Sequence, residues 1–264
     1  MDLKLENKTA FISGSTGGIG FATARVLVKE GARVILNGRT QEGINSAIDR
    51  LKLDFPDADI LGIPADFWNL KEVEFLLQQL PKIDILINNV GIYKSESFFE
   101  SSDEDWYKQF EINVMSGVRL SKYCMPKMLD ADWGRILFIS SECATLVPVD
   151  MIAYSMTKAA MLSISRGLAQ LTKGTNVTVN TVLPGSTLSE GAEQFLEEVA
   201  KKEKKTKEAV EKDFFTDVRT SSLLQRFAKV EEVANTITYL ASPLSSATNG
   251  TVIKVDGGST GGIL

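Results

Sequence analysis

Tyr154 and Lys158 stand four apart in the stretch AYSMTKAA, and in a helix that spacing sets both side chains on one face. A phenol ordinarily titrates near 10, and proton transfer near neutral pH asks for it lower by about 3 to 4 kcal/mol. An ammonium ~4 Å away at an effective dielectric of ~20 supplies about 4 kcal/mol, against the desolvation of the phenolate. Tyr-x-x-x-Lys arises often by chance. Ser141, thirteen residues upstream at the end of an apolar run, adds a hydroxyl that could face the same oxygen. The chain contains no histidine, and its only cysteines are Cys124 and Cys143. Ser-His-Asp hydrolysis, Cys-His proteolysis, histidine-based zinc hydrolysis and a four-cysteine zinc site are therefore excluded. An acid or base here must be Tyr, Lys, Asp, Glu or Cys, and nothing calls for a metal.

Such residues need a scaffold, and the chain supplies an alternating one. Near-continuous apolar runs at 8–13, 32–37, 59–64, 83–88, 134–140, 176–182 and 250–255 predict strands buried on both faces. Segments of helical periodicity fall between them, at 18–30, 41–53, 70–80, 103–129, 154–173 and 230–242. The alternation predicts an α/β fold: one Rossmann-like domain over 1–264, a doubly wound parallel sheet of about seven strands with helices on both faces. Residues 187–222 interrupt the rhythm and are expected to form a substrate-binding lid. Within them 189–213 are dense in charge, which fits either a solvated surface helix or a mobile lid whose Phe195, Leu196, Val199 and Phe214 close over a substrate.

The 264 residues are 44% hydrophobic with a net charge of −5, which suits a soluble globular protein and argues against nucleic acid or an anionic membrane as partner. There is no charged-then-apolar leader and no apolar stretch approaching ~18 residues. With so few cysteines, a reducing cytoplasmic location is expected.

After the first predicted strand comes SGSTGGIG, residues 13–20. A glycine-rich turn alone is a weak signal, but between a strand and a helix it predicts a phosphate cradle. Gly14 would make the turn, Gly18 would let backbone approach a phosphate, and Gly20 would let helix and sheet pack closely. The second strand ends ILNGRT, with Gly38 where NAD-binding folds place an acid and Arg39 beside it. A guanidinium there can grip a 2′-phosphate, so NADP(H) is the expected cofactor, NAD(H) the alternative. Asp66, after the third strand, could accept from an adenine amino group or cap a helix. Asn89 and Gly91, in NNVG, close the fourth strand at the carboxyl edge, where ligands of parallel sheets bind.

These stretches together resemble the short-chain dehydrogenase/reductase family, in its common branch of about 250 residues, over essentially the whole chain. The matching motifs are SGSTGGIG, Asp66, NNVG, Asn113 in INVMSG, ISS ending at Ser141, YSMTK, LPGS at 183–186 and VDGG at 255–258. The resemblance implies an NAD(P)-dependent oxidoreductase acting on CH–OH groups. Tyr154 would be the acid in carbonyl reduction and the base in alcohol oxidation. Lys158 would lower its pKa and hold the nicotinamide ribose, Ser141 would orient the substrate oxygen, and Asn113 would hold a water linking Lys158 to solvent. Cofactor contacts would come from Gly14, Ser15, Thr16, Gly18, Ile19, Gly20, Asn37, Arg39, Asp66, Asn89, Gly91, Tyr154, Lys158, Pro184 and Gly185, with Thr187 or Ser189 as the carboxamide's side-chain donor.

The chain departs from the family pattern in small ways: Ser13 replaces the usual Thr and Val90 a common Ala. Ser140 competes with Ser141 for the catalytic position. Rival readings are a non-catalytic dinucleotide-binding relative, which would be expected to lose Tyr154 or Lys158, and a sugar-nucleotide epimerase or dehydratase, whose larger C-terminal region is missing. A small carbonyl or alcohol substrate is expected, a 3-oxoacyl thioester being a specific alternative; Gln170 stands where carrier-dependent relatives often have arginine. Helices 103–129 and 154–173 are apolar or small on several sides, and relatives pair these helices, so a homodimer or homotetramer is expected.

Overall fold

The computed structural model describes residues 2–262. Its sheet is built from β1 (Thr9–Ile12), β2 (Arg33–Gly38), β3 (Ile60–Pro64), β4 (Ile85–Asn88), β5 (Gly134–Ile139), β6 (Val177–Pro184) and, last in the chain, β9 (Val252–Val255). All seven pair in parallel, in the order β3-β2-β1-β4-β5-β6-β9. This is the Rossmann-like doubly wound sheet that the alternation predicts, with every predicted strand present.

Side-chain alternation divides each strand between two apolar layers. Ala10 and Ile12 of β1 and Val34 and Leu36 of β2 pack with α1 (Gly18–Lys29), α2 (Gln41–Asp54) and α10 (Val230–Ala241). Phe11 and Ile35 point the other way, towards α3 (Leu70–Gln79), α5 (Ser116–Asp130) and α7 (Ile152–Gln170). Buried on both faces, the inner strands β1, β2, β4, β5 and β6 have no use for polar alternation, which is why they read as near-continuous apolar runs.

The helix predicted over 103–129 is built in three parts. It begins as α4 (Asp103–Phe110), capped where Ser102 Oγ accepts from the Asp105 amide at 3.2 Å, widens into a π turn at Glu111–Met115, and continues as α5. The widened turn contains Asn113, and such turns recur at functional sites.

The charged stretch after β6 is likewise more than one helix. Short β7 (Thr187–Leu188) pairs with β8 (Ala228–Lys229), and between them run α8 (Glu190–Glu203), α9 (Lys207–Asp213) and a second π turn, Phe214–Val218. Leu196, Ala200, Val210, Phe215 and Phe227 form a small apolar cluster of their own, in which Phe214 stacks on Phe227 with centroids 5.1 Å apart. A further short helix not expected from the sequence, α6 (Cys143–Leu146), follows β5 and ends at Val147, whose φ of 46° is left-handed for a β-branched residue.

Candidate active site

Strand order reverses between β1 and β4, and the ends of these two strands are stitched together. The Ser13 hydroxyl accepts from the amides of Asn89 and Val90, both at 3.0 Å, and the Asn89 side-chain amide donates to the carbonyls of Ser13 at 3.0 Å and Gly14 at 2.8 Å. Ser13 thus keeps the hydroxyl function at the position where it replaces threonine. The crevice beyond such a reversal is where open α/β sheets hold their ligands.

The glycine loop lies in this crevice. Gly14 has φ +63°, the turn assigned to it. A Cβ on Gly20 would lie 2.5 Å from the Gly14 carbonyl oxygen, so close packing of α1 on the loop requires glycine there. From the second strand, Asn37 Oδ1 accepts from the Gly14 amide at 3.0 Å while its Nδ2 donates to the Ile63 carbonyl at 3.1 Å. Ser15 Oγ accepts from the Asn37 amide at 3.0 Å and donates to the Ile12 carbonyl at 2.8 Å. Asn37 and Ser15 are buried and brace the loop from behind.

A cavity of about 730 Å³ opens from this loop along the carboxyl edge of the sheet, within the size range of small-molecule and cofactor sites. Its walls bring together Gly14, Gly18, Ile19, Gly20, Asn89, Gly91, Ser141, Tyr154, Lys158, Pro184, Gly185, Thr187 and Ser189 of the expected set. Ser15, Thr16, Asn37, Arg39, Asp66 and Asn113 are not among its lining residues. Arg39 is exposed past the end of β2 and makes no ion pair among the described residues. Asp66 Oδ1 accepts from the Trp68 amide at 2.9 Å, a local turn of the capping kind. Asn113 is buried and spends its side chain on Ile92, accepting from the amide at 2.7 Å and donating to the carbonyl at 2.8 Å. Its Nδ2 also donates to Thr157 Oγ1 of α7 at 3.0 Å.

Tyr154 and Lys158 come from the first turns of α7 and share a face, as their spacing requires. Lys158 is buried, and its Nζ donates to the Ile139 carbonyl at 2.9 Å and stands 5.5 Å from the centre of the Tyr154 ring. The two neighbouring serines divide their work. Ser140 is buried and donates to the Lys158 carbonyl at 2.8 Å, fixing α7 on β5, whereas Ser141 lines the cavity and accepts from the Cys143 amide at 3.1 Å. Cys143 is both a buried thiol and part of the cavity wall.

Burial pushes the Tyr154 phenol above its ordinary value, the neighbouring Cys143 adds to this, and a hydrogen bond with Ser141 works against it. The ammonium is itself disfavoured, because burial brings Lys158 down to about 8. In both groups burial is the largest cause, because it disfavours the charged form.

Beyond the expected residues, the cavity holds a buried ion pair. Glu142, next to Ser141, takes the Arg219 guanidinium on Oε1 at 2.8 Å and the Ser186 hydroxyl on the same oxygen at 3.1 Å; Oε2 has no partner. Glu142 and Arg219 are 77 positions apart, a pairing that no local pattern announces. Of the expected lid residues, Phe195 and Phe214 face the cavity, while Leu196 and Val199 pack within the segment's own cluster.

A doubly wound sheet with a glycine loop at its switch point defines a nucleotide-binding class of α/β protein. The chain belongs to the short-chain dehydrogenase/reductase family of oxidoreductases: a family profile described as enoyl-(acyl carrier protein) reductase matches residues 14–260. It is 45% identical over 258 residues to the uncharacterized oxidoreductase YvaG of Bacillus subtilis, covering 98% of each chain. It is 31% identical to a 3-oxoacyl-[acyl-carrier-protein] reductase of Aquifex aeolicus, covering 98% of this chain and 99% of the other. Among solved structures, L-sorbose reductase from Gluconobacter frateurii complexed with NADPH and L-sorbose superposes with a TM-score of 0.92 at 30% identity, over 98% of each chain.

Proposed function

We propose that the protein interconverts a ketone and a secondary alcohol with NADP(H), with Tyr154 donating the proton in reduction and accepting it in oxidation. The observation that carries this reading is the convergence of Ser141, Tyr154 and Lys158 with the glycine loop on one cavity. The cradle suits a dinucleotide: the Gly18 amide already holds an anionic oxygen, Oε2 of Glu190, at 2.7 Å, and Arg39 is free to meet a 2′-phosphate. When bound, the dinucleotide supplies or takes up the hydride.

The side chains supply the rest. Ser141 and Tyr154 would hold the carbonyl oxygen between two hydroxyls. A phenol kept protonated by burial is suited to give its proton to that oxygen as negative charge develops there. Lys158, close to 8, can exchange a proton near neutral pH and so replenish the phenol. Asn113, committed to Ile92 and Thr157, would hold α7 and the loop after β4 in register, and any water relay would run past its backbone.

Ile92, Tyr93, Met151, Phe195, Phe214 and Phe227 give the substrate end a mainly apolar wall, interrupted by the Glu142–Arg219 pair. This supports a modest ketone, and the similarity to L-sorbose reductase adds ketoses to the compounds to try. In this reading 1–264 is one catalytic unit, 187–222 is its lid, and a cytoplasmic homodimer or homotetramer pairs the helices over 103–129 and 154–173. The test is loss of reduced-nicotinamide absorbance with NADPH or NADH against simple ketones, ketoses and 3-oxoacyl thioesters. Turnover of any of these with NADPH favoured supports the proposal; inertness towards all of them from a protein that binds NADPH would favour the non-catalytic alternative.

A further inference from the structure

The amino end of α1 is covered by a side chain from far along the sequence. Gly17, which precedes the helix, has no side chain to cap it, and the amide of Gly18 donates instead to Glu190 Oε2, 172 positions away. Both oxygens of that carboxylate lie 3.4 Å from where a Cβ on Gly17 would stand. Glu190 is the first residue of α8, held there by Ser189, whose Oγ accepts from the Ala192 amide at 3.4 Å. Ser189, Ala192 and Phe195 line the same cavity as Gly14, Gly17 and Gly18. The far end of this segment is fastened elsewhere, through Arg219 on Glu142, beside Ser141.

A carboxylate on the Gly18 amide takes the position that a dinucleotide phosphate would need. The two anions seek the same N–H group and the same helix dipole, and like charges at one helix end repel. We infer that Glu190 is a built-in competitor for the cofactor: it closes the phosphate cradle in the free protein, and the dinucleotide enters only by displacing it, so that cofactor binding and release of α8 from α1 are one event. This rests on the reading of residues 13–20 as the phosphate cradle. β7, just before Glu190, is held by β8 and the far end by the Arg219–Glu142 pair, so the motion is confined to the first turns of α8.

The test is titration of the full-length protein with NADPH, and separately with adenosine, which carries no phosphate, in the wild type, Glu190→Gln and Glu190→Ala. Thermal melts would show that each variant is folded. Removing the competitor should tighten NADPH binding about tenfold in Glu190→Ala, the scale of one charge-assisted hydrogen bond, with Glu190→Gln between it and the wild type and adenosine affinity unchanged. Hydrogen exchange over 190–203 should rise on adding NADPH to the wild type and be already fast in Glu190→Ala. Unchanged or weaker NADPH binding in Glu190→Ala overturns the inference, as does equal tightening for adenosine. Failure of the folded wild type to bind either NADPH or NADH would instead overturn the cradle reading itself.

Discussion

Leu36 in the sheet and Leu196 in the segment between β7 and β8 are both buried leucines, 0% and 4% exposed, yet they belong to differently built regions. Leu36 lies in a layer spanning β1, β2, β4 and β5 and three helices, so no part of it can loosen without disturbing the whole. Leu196 lies in a cluster drawn from one stretch of chain, closed at its base by the β7–β8 pair and tied to the rest of the fold by the Glu190 contact, the Arg219–Glu142 bridge and the Leu223 and Leu224 amides on the Gly257 carbonyl. The first arrangement resists any local opening; the second can open while the sheet stays folded. The groups proposed to react, Ser141, Tyr154 and Lys158, stand on the first. The proposed lid stands on the second.

The largest expected effect is on a rigid-side group with no structural duty. Tyr154→Phe should lower kcat by about 10²- to 10⁴-fold while leaving NADPH affinity and the melting temperature nearly unchanged, as steady-state kinetics and a melt would show. Next come the two leucines. Leu36→Ala should cost about 2–5 kcal/mol in denaturant unfolding. Leu196→Ala should change global stability by less than about 1 kcal/mol and raise KM instead. Equal losses of stability would mean that the two regions unfold as one.

Smaller again is a pH effect. Lys158 is lowered to about 8 in the folded chain from the usual 10.5, so between these values the unfolded chain binds more protons and stability rises with pH. The burial cost is present in full below pH 8 and is relieved as pH climbs through 8 to 10.5. Lys158→Met should therefore flatten the slope and gain up to about 3 kcal/mol at pH 7, read from urea unfolding at pH 7, 8 and 9. The smallest change expected is Arg39→Ala, which should reduce the preference for NADPH over NADH by about tenfold in kcat/KM. Pairing it with an acid at 38 is unsuitable, because a Cβ on Gly38 would stand 2.5 Å from Thr16 Cγ2.

The same division explains what the sequence could show. Strands buried on both faces announce themselves as short apolar runs, and the residues at their carboxyl ends, from Gly14 to Ser141, follow by position. Arg135 marks the limit. It lies within the apolar run of β5, 1% exposed, and its guanidinium donates to the carbonyls of Gly134, Asn176 and Ser242, contacts made mostly from distant parts of the chain. The segment after β6 could be marked only as charged and helix-forming, because its order comes from contacts such as Phe214 on Phe227 and Glu190 on Gly18. Glu142 was within reach, as a lone carboxylate directly after Ser141; its partner was not. The upward pull of burial on Tyr154 was hidden for another reason: spacing fixes which groups meet, but not how dry the place is where they meet.

The π turn at 111–115 sets a phase as well as a position. In an ordinary α-helix each residue advances the rotation by about 100°, so a turn that accommodates one extra residue offsets everything after it by that angle. Straightening Glu111 to Met115 into α-helix with no residue removed would turn Leu120, Cys124 and Met128 away from the sheet they cover, whereas deleting one of the five would leave them facing it. A single-residue deletion is therefore tolerable in this short stretch of rod and intolerable in the uniform helix that follows it.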